Sequence, residues 1–216
     1  MTDRRSLSST PYECTFFAAA VGAPDSRAVS LGISAAAVLL MTVATTIAAQ
    51  ISIPLPFTPV PFTLQPMVVL VGGALLGPRL GVMSQLLYLA AGLAGMPVFA
   101  ASPTLPQGPA RLLGPTGGYL MAYPLAAFVT GALAARGFDR RYLTSVLAMA
   151  AGLAIVFAGG VAWLAAVLPV RGNRLISALE LGFLPFVAAD LVKLCLAATV
   201  LPALWRFTGL GRPQSV

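Results

Sequence analysis

Six runs of apolar residues, separated by short stretches rich in proline, glycine or charge, dominate the hydropathy pattern of the chain. They cover approximately residues 30–50, 62–77, 79–96, 117–135, 144–168 and 179–204. A helix needs roughly 20 predominantly apolar residues to cross the hydrocarbon of a bilayer, so the second run is short for a perpendicular crossing. The pattern predicts an all-α integral membrane protein with six transmembrane helices.

Two connections between these runs are rich in proline. The first, ISIPLPFTPVPF (51–62), carries four prolines in eight residues, which a helix cannot accommodate, and it has no charge. We therefore expect it to be extended and to fold over another part of the protein at the membrane surface. The second, 97–119, is the longest connection and ends in GPTGGY (114–119). That ending is either a plain turn that starts the fourth helix or a helix N-terminus that binds a polar ligand.

The composition strengthens the membrane assignment. The chain is 58% hydrophobic and 9% charged, with a mean hydropathy of +0.91, whereas a soluble domain carries about a quarter charged residues. The net charge of +7 does not indicate nucleic acid binding, because no block of basic residues is interleaved with aromatics. The chain has no histidine, and its cysteines, Cys14 and Cys195, form no disulfide or metal pattern. We expect neither a metal nor a cofactor.

The distribution of the cations predicts the orientation. Six crossings place both termini on the same side, and cytoplasmic loops carry the excess of Lys and Arg. With both termini inside, nine arginines are cytoplasmic, namely Arg4, Arg5, Arg27, Arg79, Arg136, Arg140, Arg141, Arg206 and Arg212. Three are on the outer side, namely Arg111, Arg171 and Arg174. The predicted organisation is N-in/C-in, with a cytoplasmic tail over 1–29, a membrane domain over 30–205 and a second cytoplasmic tail over 206–216.

Asp190 and Lys193 lie within the last apolar run, in the stretch FVAADLVKLCLAA (186–198). At this spacing they share one face of a helix. Each ionised group near the bilayer centre costs roughly 2.5–3.5 kcal/mol, so such groups face a cavity, pair with each other or bind something. One hypothesis is an ion pair that only fixes helix packing. The other is a polar pocket that holds an organic solute with both donors and acceptors, because a proton relay would use more acids or histidine.

Four segments together resemble a known family. They are QISIPLPFTPVPFTLQ (50–65), LLGPRLGVMSQLLYLAAGLAGMPVF (75–99), LLGPTGGYL (112–120) and DLVK (190–193). In this order they are similar to BioY, the biotin-specific substrate-binding component of energy-coupling factor transporters, over residues 30–205. The resemblance implies a six-helix protein of the bacterial inner membrane that captures biotin from outside with high affinity. It also implies two kinds of partner, a transmembrane coupling subunit and two cytoplasmic ATPase subunits.

The resemblance also implies roles for particular residues. Asp190 would accept hydrogen bonds from the ureido N–H groups of biotin, and Lys193 would donate to an oxygen of the ligand. The opposite wall would consist of Tyr119 and the backbone of Gly117 and Gly118. Two further candidates, Gln85 and Tyr88, lie in QLLYL (85–89).

The segment ASPTLPQGPAR (101–111) departs from the family, since many relatives have a Gly-rich stretch there. We expect Arg111 to bind the carboxylate of biotin, with Gln107 as a second possibility. The alternative for Arg111 is a loop residue in contact with solvent.

The chain has no ATPase motif of its own. A phosphate-binding loop needs a lysine followed by Ser or Thr, and the single lysine, Lys193, is followed by Leu194. We therefore predict a transport protein and no enzyme. No Ser or Thr lies at i±3 or i±4 of Lys193, which disfavours an intramembrane enzyme.

Two predictions about assembly and transport follow from the same sequence. Docking to the coupling subunit would use small residues of the first helix, Gly32 and Ala36, or alternatively Ala44 and Ala48. The remaining alternative function is a stand-alone secondary transporter of a small organic solute.

Overall fold

The structure is a computed structural model that describes residues 15–22, 26–101, 107–169 and 172–210. Within these ranges the chain forms α-helices and one short antiparallel hairpin. In chain order the elements are α1 (Phe16–Val21), α2 (Arg27–Gln50), β1 (Ser52–Ile53), β2 (Phe62–Thr63), α3 (Gln65–Leu76), α4 (Pro78–Leu93), α5 (Pro109–Leu113), α6 (Gly117–Leu133), α7 (Tyr142–Val167), α8 (Arg174–Gly182), α9 (Leu184–Ala197) and α10 (Val200–Thr208). A π-helical turn, Ala134–Phe138, extends α6.

Four helical stretches in the described part are long and apolar enough to cross a membrane. They are Arg27–Gln50, Gly117–Phe138, Tyr142–Val167 and Leu184–Thr208, and a shorter apolar helix covers Gln65–Leu76. The prediction of an all-α membrane protein is confirmed at this level.

Helix α6 lies at the centre of the bundle and packs against α3, α4 and α7. Small residues permit this packing, because helices in a membrane approach closely where side chains are absent. A Cβ atom on Gly73 of α3 would lie 2.5 Å from the carbonyl oxygen of Ala127 on α6, and one on Gly131 would lie 2.7 Å from the carbonyl oxygen of Gly73. Substitution of either glycine would therefore push α3 and α6 apart.

The proline-rich connection forms a hairpin that folds back onto the bundle, as its composition predicts. Ser52 pairs with Thr63, and Ile53 pairs with Phe62. Within the loop, Thr58 Oγ1 donates a hydrogen bond of 2.6 Å to the carbonyl oxygen of Leu181. The second apolar segment was predicted over 62–77. The predicted start is wrong, because Phe62 and Thr63 belong to the hairpin and α3 begins at Gln65.

The last apolar segment, predicted as one run over 179–204, is interrupted. Helix α8 ends at Gly182, α9 begins at Leu184, and α10 follows from Val200. The restart coincides with Pro185 in the first turn of α9, a position where proline loses no helical hydrogen bond. Asp190 is six residues after the start of α9, so it lies roughly 9 Å along the helix at 1.5 Å per residue, closer to that end than the single run predicts.

The two ends of the bundle differ. The hairpin end carries the β1–β2 hairpin, α5 and α8. The tail end carries α1, the α3–α4 turn at Gly77, the α6–α7 turn at Asp139 and the end of α10. There the indole of Trp205 meets the Phe16 ring edge-on at 5.3 Å and donates a hydrogen bond of 2.6 Å to Asp139 Oδ2.

The predicted tails are described only in part. Helix α2 begins at Arg27, earlier than the boundary at 29, because the side chain of Ser26 caps it by accepting from the backbone N–H of Val29. At the other terminus α10 continues to Thr208, beyond the predicted boundary at 205. Residues 1–14, 23–25 and 211–216 of the tails, and the predicted outer cation Arg171, lie outside the described ranges.

Candidate functional site

A cavity lies at the hairpin end of the bundle, between the hairpin, α3, α5, α6, α7 and α9. Its polar lining residues are Thr63, Gln65, Arg111, Thr116 and Asp190. Its aromatic lining residues are Phe62, Tyr119, Tyr123, Phe157 and Phe186. It leaves about 50 Å³ open to the centres of water molecules. One water needs roughly 10–15 Å³ of such space, so the cavity has room for a few waters in this conformation.

Asp190 and Lys193 form an ion pair at the edge of this cavity. Lys193 Nζ lies 2.7 Å from Asp190 Oδ1, and the two side chains are 12% and 8% exposed, respectively. The same ammonium donates a hydrogen bond of 2.7 Å to the carbonyl oxygen of Thr63 in the hairpin. Asp190 lines the cavity, whereas Lys193 is not among its lining residues. The structure thus combines features of both hypotheses, since the two charges pair directly and an open space adjoins the carboxylate.

Arg111 lies in α5 and is only 1% exposed. Helix α5 begins at Pro109 and folds the long connection back against the bundle, where Arg111 Nη2 donates to the carbonyl oxygen of Ala100. Burial lowers the pKa of this guanidinium below its usual value. The alternative of a loop residue in contact with solvent is therefore wrong, and the guanidinium lies in the wall of the cavity.

The GPTGGY segment begins α6, as predicted, but its glycines do not line the cavity. The backbone N–H of Gly117 donates to the carbonyl oxygen of Gly114 at 3.0 Å, so it is already used. A Cβ atom on Gly118 would collide with Trp163 of α7. These glycines let α6 approach its neighbours and position the next residue, Tyr119, which lines the cavity and donates a hydrogen bond of 2.8 Å to the carbonyl oxygen of Gly182.

Three other candidates also lie away from the cavity. The amide of Gln85 is buried between α4 and α2, where its nitrogen donates to Thr45 Oγ1 at 3.3 Å. The hydroxyl of Tyr88 lies behind the wall and donates to the carbonyl oxygen of Val98 at 3.2 Å. Gln107 is exposed and donates to the carbonyl oxygen of Phe99. The spacing of these residues in the sequence did not indicate that the three side chains point away from the cavity.

Besides Thr63, two polar residues of the wall were not among the candidates. Gln65 is 3% exposed, and its side-chain nitrogen donates a hydrogen bond of 2.7 Å to the Tyr88 hydroxyl. Thr116 is buried, and its hydroxyl has no hydrogen-bond partner among the described residues. Both residues lie in segments that carry the family resemblance, and a polar residue directly before an apolar helix was the available signal.

The predicted docking residues lie on the outer face of α2. Gly32 and Ala36 are both exposed, and a Cβ atom on Gly32 would meet no atom within 4 Å. At these two positions no large side chain would keep a partner helix from approaching α2.

The sequence of the chain matches the BioY family over residues 25–209. It belongs to the BioY family. The chain is 42% identical over 163 residues to the "probable biotin transporter BioY" of Pyrococcus horikoshii, a match that spans 76% of this chain and 90% of that relative. It is 38% identical over 161 residues to the "biotin transporter BioY" of Thermotoga maritima, a match that spans 74% of this chain and 89% of the relative.

A solved structure has the same fold. The crystal structure of the S-component for biotin from an ECF-type ABC transporter superposes with a TM-score of 0.71 at 26% sequence identity. The match covers 85% of this BioY chain and 95% of the solved one. The S-component fold of this chain is thereby shown.

Proposed function

We propose that this BioY-family chain binds biotin in the cavity at the hairpin end and serves as the biotin-specific S-component of an energy-coupling factor transporter. Its relatives and its structural neighbour carry names that specify biotin. The observation that carries the proposal is the buried carboxylate of Asp190 facing an aromatic-lined cavity that also contains the Arg111 guanidinium.

The head of biotin fits the α9 side of the cavity. A ureido ring offers two N–H donors and one carbonyl acceptor, and an ionised carboxylate is a strong acceptor for such donors. The ammonium of Lys193 lies 2.7 Å from this carboxylate and is a further donor on the same side of the cavity. Lys193 can donate to the ureido oxygen once the carbonyl of Thr63 is withdrawn. The rings of Phe186 and Tyr119 provide the apolar walls for the bicycle.

The tail of biotin ends in a carboxylate, and Arg111 is the cationic residue among the described residues that line the cavity. A guanidinium binds a carboxylate through two parallel hydrogen bonds, which fixes both position and orientation. The hydroxyl of Thr116, which has no hydrogen-bond partner among the described residues, is a further donor on the same wall. Gln107 remains a second candidate only if the loop that carries it rearranges, because its side chain is exposed.

Binding requires the cavity to open. The space available to water centres, about 50 Å³, is smaller than a bicyclic molecule with a valerate tail needs. The hairpin covers the cavity, since Val60, Pro61, Phe62 and Thr63 line it. We infer that the hairpin moves away to admit biotin, and that the contact between Lys193 and the carbonyl of Thr63 breaks in the process.

The proposed topology has six crossings, formed by α2, α3, α4, α6, α7 and the α9–α10 pair, with N-in/C-in orientation. The distribution of described arginines supports it, because the tail end carries Arg27, Arg79, Arg136, Arg140, Arg141 and Arg206. The hairpin end carries Arg111 and Arg174. An excess of cations marks the cytoplasmic side, so the cavity faces outward in a cell membrane. In this arrangement 30–205 is the membrane domain, flanked by cytoplasmic tails over 1–29 and 206–216.

Transport would depend on other polypeptides, namely a transmembrane coupling subunit and two cytoplasmic ATPase subunits. The sequence supports this division, because its single lysine is not part of a phosphate-binding loop. The exposed small residues Gly32 and Ala36 lie toward the tail end, where a cytoplasmic motor would act.

Calorimetric titration of the purified chain with biotin in detergent tests the proposed function. We expect saturable binding with one site per chain, and an absence of binding heat at millimolar biotin would contradict the proposal. Uptake into vesicles separates the two transport mechanisms. A chain that accumulates biotin without ATPase subunits, and stops when an uncoupler collapses the ion gradient, would be a secondary transporter.

A further inference from the structure

The segment 97–101, which follows the end of α4, is neither helix nor strand, yet most of it is buried. Val98, Phe99 and Ala100 are at most 7% exposed. The Phe99 ring occupies the space beside Gly92 of α4, where a Cβ atom would collide with it. Ala100 lines the cavity at the hairpin end. The segment is therefore part of the cavity wall.

Side chains hold this segment through its backbone carbonyls. Buried carbonyl groups are nearly always paired, and an irregular segment has no helical or strand ladder to supply the partners. All five carbonyl oxygens of 97–101 accept a hydrogen bond from a side chain. The donors come from α2, β1, α4, α5 and the residue that leads into α5, namely Gln50 to residues 97 and 99, Tyr88 to 98, Gln107 also to 99, Arg111 to 100 and Ser52 to 101.

Gln50 supplies two of these hydrogen bonds. Its amide nitrogen donates to the carbonyl oxygens of Pro97 at 3.3 Å and of Phe99 at 3.2 Å. One side-chain amide carries two N–H donors, so it can serve both carbonyls at once. Gln50 is the last residue of α2, is exposed, and is not among the described residues that line the cavity. What it contributes is the direction of two hydrogen bonds, since an exposed side chain fills no space in the core.

The position of 97–101 determines the shape of the cavity wall. Ala100 lines the cavity, and its carbonyl oxygen accepts from Arg111, which lines the cavity too. A shift of the segment would therefore move two lining residues together. A site that is correctly formed in only a fraction of the molecules binds its ligand more weakly by that fraction.

We propose that Gln50 is a positioning residue for biotin binding. It does not touch the ligand, but it holds 97–101 in the conformation that completes the cavity wall. This inference rests on the proposed function, because the cavity must be the biotin site for the position of its wall to affect affinity.

The test compares Gln50→Met with the wild type by calorimetric titration of the purified full chain with biotin. Methionine keeps an unbranched side chain of similar length and the same charge but removes both N–H donors. We expect the affinity for biotin to fall roughly five- to tenfold, the effect of losing one or two neutral hydrogen bonds. The melting temperature should stay close to that of the wild type, because Gln50 is exposed. Amide deuterium uptake over 98–101, measured without biotin, should become faster.

A donor-retaining variant and a matched control separate positioning from a general structural effect. Gln50→Lys keeps N–H donors on an unbranched side chain, so it should restore both the affinity and the slow deuterium uptake of 98–101. An added cation that acted only at a distance would not restore the slow uptake. The control is Ile47→Met, an exposed residue of α2 less than one turn earlier, which should match the wild type in every measurement.

Three results would overturn the inference while leaving the proposed function intact. They are wild-type affinity in Gln50→Met, an equal loss of affinity in Ile47→Met, and a loss in Gln50→Met that Gln50→Lys does not restore. Failure of the wild type itself to bind biotin would contradict the proposed function, and the inference would fail with it.

Discussion

The ammonium of Lys193 lies 3.4 Å from the centroid of the Phe62 ring. Phe62 is in strand β2, so this cation–π contact joins α9 to the hairpin that covers the cavity. The hydrogen bond from the same ammonium to the carbonyl oxygen of Thr63 reinforces the connection. The side chain of Lys193 thus pairs with Asp190 and also holds the hairpin in place over the cavity.

Replacing Lys193 should release the hairpin. Lys193→Met keeps the apolar stem but removes the ion pair with Asp190 and both contacts to the hairpin. The two hairpin contacts, the hydrogen bond and the cation–π contact, together contribute about 2–4 kcal/mol in a partly buried setting. We expect amide deuterium uptake over 51–63 to rise at least tenfold in rate, with uptake in α6 and α7 unchanged. Phe62→Leu, which removes only the ring contact, should give a smaller increase. Wild-type protection of 51–63 in Lys193→Met would show that Lys193 does not hold the hairpin.

Arg111 should determine the affinity for the carboxylate of biotin. Hydrogen bonds to charged groups contribute about 1.5–3 kcal/mol, so Arg111→Gln should weaken biotin binding roughly 10- to 100-fold in calorimetry. Biotinamide, whose tail is neutral, should bind equally to the wild type and to Arg111→Gln. The control is Arg174→Gln, an exposed cation at the same end. If Arg111→Gln weakened biotin and biotinamide by the same factor, the carboxylate would not be its partner.

The buried carboxylate of Asp139 should lower the stability of the folded protein at neutral pH. Burial raises the pKa of its carboxyl, and the hydrogen bond from Trp205 opposes the rise. Because the folded-state pKa is above the unfolded one, the folded state is favoured when the pH falls below the unfolded pKa, and this contribution is lost as the pH rises through the folded pKa. We therefore expect Asp139→Asn, which retains an acceptor for Trp205, to match or exceed the wild-type melting temperature at pH 7.

The same comparison has an internal control. Asp139→Ala leaves the indole N–H of Trp205 buried without its acceptor and should lower the free energy of unfolding by about 1–3 kcal/mol. The difference between Asp139→Asn and the wild type should shrink as the pH is lowered toward 4. A stabilising effect of Asp139→Asn that grows on acidification would contradict a raised pKa for the Asp139 carboxyl.

The outer face of α2 should matter for assembly and not for biotin. Ala36→Leu places a large side chain on an exposed helix surface, so it should leave folding and biotin affinity unchanged. Co-purification of the coupling subunit should fall at least fivefold, because close helix approach requires small residues. Ala188→Leu, an exposed alanine on α9, is the matched control and should assemble normally. Equal losses in both variants would indicate a general effect of added bulk.

The apolar pattern predicted most of the helical framework. Helix α6 begins at Gly117 as predicted, and α7, at Tyr142–Val167, differs by a few residues from the predicted 144–168. These helices end at turns marked by glycine and charge, which the sequence displays directly. The interruption near Phe183 was not predicted, because hydropathy does not distinguish one long helix from two helices separated by an apolar residue. Pro185 was the local signal for it.

Among the residues proposed from the sequence, Asp190, Arg111 and Tyr119 line the cavity. Asp190 and Arg111 stand out, because ionised groups in an apolar chain need a physical reason. The positions of Gln85 and Gln107 depend on the rotation of α4 and on the path of a long connection, and neither follows from residue spacing. Gln65 begins α3 directly after the hairpin, so its place in the wall depends on how the hairpin folds back onto the bundle.

The most direct measurement is a biotin titration of Asp190→Asn beside Glu180→Gln, an exposed acid of α8. We predict that Asp190→Asn weakens biotin binding roughly 30-fold or more, the effect of removing one member of a buried charged contact, while Glu180→Gln binds as the wild type does. Wild-type affinity in a folded Asp190→Asn protein would show that this carboxylate does not hold the ligand, and would contradict the proposed site.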